Sequence, residues 1–193
     1  GQLPKCQWWR LQLSTGRADR LGTAEECTRS VYIGYDGRHL AIAYGQGGLV
    51  VRDAVSGTPV WSKAMPATNA IYSPDGKRIA YSSFRAGTAS VYWQAADGTG
   101  VAERLSPETN SQVPWAFNSD GQSLVIRDTD LKTGVDLAIL TVDGKRVKPL
   151  IQQPSYQGNA DLSPDGKWIA YQSNQSGRNE IYVHPFPSVG AGR

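Results

Sequence analysis

The stretch YSPDGKRIAYSS, Tyr72 to Ser83, returns ninety residues later as LSPDGKWIAYQS, Leu162 to Ser173. Its Asp-Gly pair occurs four times, as Asp36-Gly37, Asp75-Gly76, Asp120-Gly121 and Asp165-Gly166, at spacings of 39, 45 and 45 residues. Each copy is followed by the same kind of apolar trio: Leu40-Ala41-Ile42, Ile79-Ala80-Tyr81, Leu124-Val125-Ile126 and Ile169-Ala170-Tyr171. A phrase recurring at a near-constant period marks a structural unit used again, and not a catalytic signature repeated.

Asp-Gly supplies the positive φ that a tight hairpin demands, so each copy reads as a turn between two strands. In the second unit AIYS, RIAYSS, SVYWQA and VAERLS are four short strands separated by PDG, FRAGTA and ADGTG. The third unit gives VPWAFN, SLVIRD, VDLAILTV and RVKPLI, and the first SVYIGY, HLAIAY, GLVVRD and PVWSKA. Middle strands such as DLAILTV are nearly continuous apolar runs, as expected of strands covered on both faces. Four-stranded antiparallel sheets repeating every roughly 40 to 45 residues predict an all-β chain of β-propeller blades, about four to five of them, and no helix.

Composition agrees. The 193 residues suffice for one domain with a sizeable core, and 21 Gly, 11 Pro, six Trp and nine Tyr suit a turn-rich β protein. A net charge of +3, with basic residues scattered among acidic ones, gives no case for nucleic acid as a partner. No apolar run approaches the length of a membrane span, and the start GQLPKCQWWR lacks the pattern of a signal peptide, which suggests a mature or excised segment. No cofactor motif is present, and two cysteines alone cannot make a four-ligand metal site.

The phrase SPDGKxIAY, followed by an IYV or VYW strand and a DGT turn, resembles the repeat of TolB-type β-propellers. The second and fourth units match it closely and the third less so. The first, with LVVRDAVSGTPVW, is more similar to WD-type or quinoprotein-type blades. The resemblance covers nearly the whole chain and specifies architecture far better than function.

On this ruler residues 29–65, 66–106 and 107–151 are whole blades, 152–193 an incomplete last blade, and 1–28 the outer strands of a first one. A TolB-sized ring needs more blades. The chain is therefore expected to be a segment of a longer propeller, or else a five-bladed ring closed by its ends, or a ring closed by oligomerisation. An open arc would favour self-association through its strand edges and uncovered blade face. In the N-terminal stretch QWWRLQLSTGRADRLGT, a two-residue turn at Thr15-Gly16 would pair Ser14 with Arg17 and set Cys6 opposite Glu25, two residues from Cys27. Two readings remain: a Cys6–Cys27 disulfide, helped by the family's usual home outside the cytoplasm, or two unrelated thiols.

Catalytic chemistry finds little support. Asp36, Asp75, Asp120 and Asp165 are explained by turn geometry alone, each side chain capping its own backbone. The stretch DTDLKTGVD, Asp128 to Asp136, places oxygen ligands at alternate positions like the start of a calcium loop but lacks the downstream Glu, so a solvated blade loop is expected. No Gly-x-Ser-x-Gly elbow occurs, and His39 and His184 occupy ordinary strand positions. The sequence thus predicts no catalytic residue and no metal ligand.

What remains is a binding surface on blade loops and connections. Arg85, Trp115, Arg127, Tyr156 and Arg178 are the expected binding residues, accompanied by Lys132, Asn69 and Asn110, because Arg and aromatic side chains anchor protein interfaces. The leading reading is a noncatalytic scaffold that docks a protein or peptide in the periplasm or another extracellular compartment. The end EIYVHPFPSVGAGR resembles a blade phrase found in extracytoplasmic sensor parts of bacterial signalling proteins. The alternative is the propeller of a larger prolyl-oligopeptidase-type or dipeptidyl-peptidase-type hydrolase, whose chemistry would lie in another domain.

Overall fold

The computed structural model describes residues 5–12, 15, 17–26, 30–34, 37–44, 48–106 and 110–188, with the backbone alone for 5–12, 19–26 and 30. The described chain is all-β. A hairpin of β1 (Lys5–Gln12) and β2 (Arg17–Glu26) precedes four antiparallel sheets that stand as propeller blades. The first blade runs β3 (Ser30–Ile33), β4 (His39–Ala43), β5 (Leu49–Asp53) and β6 (Pro59–Lys63). The second holds β7 (Thr68–Tyr72), β8 (Arg78–Ala86), β9 (Thr88–Ala95) and β10 (Glu103–Arg104). The third consists of β11 (Ser111–Phe117), β12 (Ser123–Asp130), β13 (Gly134–Thr141) and β14 (Val147–Ile151), and the last of β15 (Gln157–Leu162), β16 (Trp168–Ser173) and β17 (Glu180–Pro185).

The repeated turn explains itself. Ser73 Oγ donates to Asp75 Oδ1 at 2.6 Å, the Lys77 backbone N–H donates to the same oxygen at 3.0 Å, and Arg78 N–H donates to Ser73 Oγ at 2.9 Å. Gly76 completes the turn at φ 69°, a conformation that costs glycine nothing. The last blade repeats the arrangement with Ser163, Asp165, Lys167 and Trp168. The third blade has Asn118 where the second and last have Ser, and its turn is held by Ser119 N–H on Asn118 Oδ1 and Gln122 N–H on Asp120 Oδ1. These hydrogen bonds hold the Asp75 and Asp165 carboxyls below the ordinary carboxylate range, the Ser hydroxyl being the largest cause in each. Asp36 lies outside the described residues.

Blades are joined by three apolar layers. Ala41, Leu49 and Val51 meet Ile79, Tyr81 and Tyr92 in the first; Ile71, Ala80 and Val91 meet Leu124, Ile126 and Leu140 in the second; Val125 and Leu137 meet Ile169 and Tyr171 in the third. In the second and third blades the trio after the Asp-Gly turn therefore supplies both faces, alternate residues pointing to opposite neighbours. Truncating a fully buried Ile79 or Leu140 to Ala removes about 2–5 kcal/mol. The second blade's fourth strand is shorter than VAERLS predicts. Beyond Arg104 the chain leaves the regular ladder, yet Leu105 and Ser106 stay buried, Ser106 Oγ accepting the Val91 N–H at 2.8 Å.

The N-terminal hairpin corrects one expectation. Gln12 faces Arg17, so the loop holds four residues and not the two of a Thr15-Gly16 turn. A register shift between Cys6 and Trp8 then adds two residues on the β2 side, and Cys6 comes to face Glu25 after all. A bulge of this kind restores a pairing that the longer loop displaces. Among the described residues there is no disulfide, and the expected bridge falls outside them, since Cys27 and the Cys6 side chain are not described.

Candidate functional site

Each inner strand begins at the end of the blade where the second and third strands turn, and finishes at the Asp-Gly turn. At the latter end, the inner strands of all four blades enclose a cavity of about 710 Å³. Tyr32 of β3, Tyr72 of β7, Trp115 and Phe117 of β11, and Asn159 and Asp161 of β15 line it, with turn residues such as Pro74, Ser119 and Pro164 at its rim. The wall is aromatic with one amide and one carboxylate, a composition suited to apolar groups oriented by a few polar contacts.

Bulges aim these side chains. Pairing slips by one residue between Thr68 and Ile71, between Pro114 and Ala116, and between Gly158 and Asp161. Asn69 and Asn159 each stand six residues before the repeat Asp and both carry φ 51°, the left-handed conformation that Asn tolerates best among residues with a side chain. Asn69 hydrogen-bonds the Tyr32 hydroxyl, linking the first two blades, whereas Asn159 Nδ2 donates to Gln172 Oε1 at 2.6 Å. Burial raises the Tyr32 hydroxyl pKa more than its bond to Asn69 lowers it, and the Asp161 carboxylate raises it further. Residues of the first and last described blades thus share one electrostatic environment across the cavity.

Of the expected binding residues, only Trp115 lines this cavity. Arg85 belongs to the opposite end of the second blade, where its guanidinium lies 4.3 Å from the Tyr92 ring centre and Nη2 donates to the Tyr81 hydroxyl at 2.8 Å. Arg178 Nε donates to Glu180 Oε1 at 2.7 Å. Arg127 of β12 faces Val113 across the ladder, and the Tyr156 ring packs over Gly158 with its backbone N–H on Asn174 Oδ1 at 2.8 Å. Lys132 gives its backbone N–H to Asp130 Oδ1. Asn110 holds Asp128. The five predicted residues are therefore spread over three blades and both ends of the sheets. Tyr32, Tyr72, Asn159 and Asp161 escaped sequence reasoning. Their one signal was position, in the strand just ahead of each Asp-Gly turn.

The histidines are apart from one another. His184 stacks on Tyr171 at 5.8 Å, and His39 borders a smaller recess of about 240 Å³ beside Tyr72 and Gly76. Among the described residues, no three His, Cys, Asp or Glu side chains converge to hold a metal ion, and no helix is long and apolar enough to cross a membrane.

Known proteins match this architecture. A putative TolB from Agrobacterium tumefaciens superposes with a TM-score of 0.78 at 20% identity, covering 89% of this chain and 63% of that one. TolB from Acinetobacter baumannii gives 0.78 at 18% identity, with 95% and 49% covered. An oligogalacturonate lyase in complex with manganese gives 0.71 at 18%, with 96% and 55% covered. The chain spans about half to two thirds of the length of these solved proteins, and likeness at such identities speaks to fold alone. A family model for the TolB β-propeller domain matches residues 49–193, most of the sequence. On that match, the protein belongs to the TolB β-propeller domain family.

Proposed function

We propose that the chain is a noncatalytic propeller scaffold acting outside the cytoplasm, and that its axial cavity receives an extended segment of a protein or peptide. The observation that carries this reading is the convergence of Tyr32, Tyr72, Trp115 and Phe117 from three blades on one concave space of about 710 Å³. Rigid aromatic groups give large contact area at little entropic cost, and the surrounding turns are locked by their own hydrogen bonds. Asn159 and Asp161 supply polar contacts that would fix the register of a bound chain. The family's usual home supports the compartment, and a sensor role in a bacterial signalling protein fits a ligand site of this kind.

Peptides selected from a random display library on the purified chain test the reading. Trp115→Ala and Asp161→Lys are expected to weaken a selected peptide at least about tenfold by calorimetry, with the circular dichroism spectrum unchanged. Equal binding by wild type and both variants would refute the cavity as the site. A second reading, the propeller of a larger enzyme, draws on the lyase among the similar structures. It predicts that the cavity serves as a passage to another domain and that no peptide is retained.

A further inference from the structure

The third blade carries a row of acceptors with too few donors. Gln112 of β11, Asp128 of β12 and Asp136 of β13 stand directly opposite one another in register, so their side chains leave the same face of the sheet. That face is the one turned to the second blade, since Leu124, Ile126, Ala138 and Leu140 extend along it into the shared layer. Two carboxylates directly opposite on adjacent strands repel one another. Asp136 is 3% exposed, and neither it nor Asp128 forms an ion pair with a described cation.

Donors account for part of the row. Asn110 Nδ2 and Gln112 Nε2 donate to the two Asp128 oxygens at 3.0 and 2.9 Å, and Thr133 Oγ1 donates to Asp136 Oδ2. Asp130, the other acid of the stretch, is occupied by its own turn through the Lys132 and Thr133 backbone N–H groups. Two acceptors remain. Asp136 Oδ1 is sealed from solvent without a partner, and so is Gln112 Oε1, whose side chain is fully buried. A buried carboxylate with no cation beside it and one oxygen without a donor is costly, and here a second orphaned oxygen lies on the other side of Asp128.

We infer that this row binds a hard divalent cation of calcium size. Asp136 Oδ1 and the Asp128 carboxylate supply the charge, Gln112 Oε1 a neutral oxygen, and water the remaining positions. Oxygen donors without nitrogen or sulfur select calcium or magnesium over transition metals, and an irregular set of side chains from three strands suits the flexible coordination of calcium better than the octahedron of magnesium. With only two carboxylates, the expected dissociation constant is about 10⁻⁴ to 10⁻³ M, in the range of extracellular modules.

The test is a melting curve of the whole chain, stripped with EDTA and then titrated with calcium chloride. Calcium at about 10 mM is expected to raise the midpoint by a few degrees, on the order of 3 °C, and magnesium chloride to raise it by less than half as much. Asp136→Asn and, separately, Asp128→Asn abolish the rise, and in EDTA Asp136→Asn melts at or above wild type because the facing charges are relieved. Asp165→Asn, in an exposed turn of the last blade, keeps it. No calcium effect on wild type, an equal effect of magnesium, or a rise retained in both Asp136→Asn and Asp128→Asn would overturn the assignment.

Discussion

The two ends of the blades use their polar groups in opposite ways. At the hairpin end, where second and third strands join, charge is tied up locally, the buried Asp136 apart: Arg85 lies on Tyr92 and bonds Tyr81, Arg178 pairs with Glu180, and Asp130 caps its own turn. At the Asp-Gly end the turns satisfy themselves, and between them aromatic rings are left facing an open space. Under the proposed cavity site, exposed arginine is a poor guide to binding. A guanidinium held by an aromatic pair stabilises the blade junction, whereas a ring over a cavity has contact area still to give.

Breaking the Asp-Gly end at its tightest point has the largest expected effect. Gly98 has φ 82°, and a Cβ there would stand 2.8 Å from the Trp61 ring, whose Nε1 donates to Ala96 O at 2.7 Å across the first blade junction. Gly98→Ala combines backbone strain with a clash and should cost about 2–4 kcal/mol by urea denaturation. Next comes Trp115→Ala, with its loss of at least about tenfold in peptide affinity, worth about 1.4 kcal/mol or more. Arg85→Ala, at the other end, should cost about 1 kcal/mol of stability and leave peptide affinity unchanged, because a stacked and bonded guanidinium is lost far from the cavity. Arg178→Ala, losing an exposed pair, should fall within about 0.5 kcal/mol of wild type.

The smallest effect is on acid stability. The Asp75 and Asp165 carboxyls are held below the ordinary carboxylate range in the folded chain, so their turns contribute stability above the unfolded pKa of about 3.9 and lose it as pH falls through the lower folded value. The melting temperature should be flat near neutral pH and drop below about pH 4, and Asp75→Asn should lessen that drop. A fall already under way at pH 6 would assign acid sensitivity to other groups.

The blades were legible because their turns are chemically specific. Ser-Pro-Asp-Gly can form few structures, and the apolar trio behind it can pack in few ways, so period and strand order followed directly. The cavity was not legible, because side-chain direction inside a strand follows a period of two only while pairing is regular. Near Asn69, Trp115 and Asn159 the pairing slips by one, which changes the side chains that β7, β11 and β15 turn to the cavity, whereas Tyr32 reaches it from the regularly paired β3. The N-terminal hairpin shows the same principle: Cys6 opposite Glu25 was reached in the sequence through a turn that the chain does not make, and in the structure through a longer loop and a compensating bulge. In DTDLKTGVD the alternation of oxygen ligands was visible, but that Asp136 faces Asp128 depended on where the hairpin folds.

The most direct test places a photoreactive side chain at position 161, beside the cavity, and in a second preparation at position 132, on the hairpin end of the third blade. Illumination with a library-selected peptide should cross-link it at 161 and leave 132 unmodified. Cross-linking at 132 with none at 161 would contradict the account, and would return the binding surface to the arginine-bearing end.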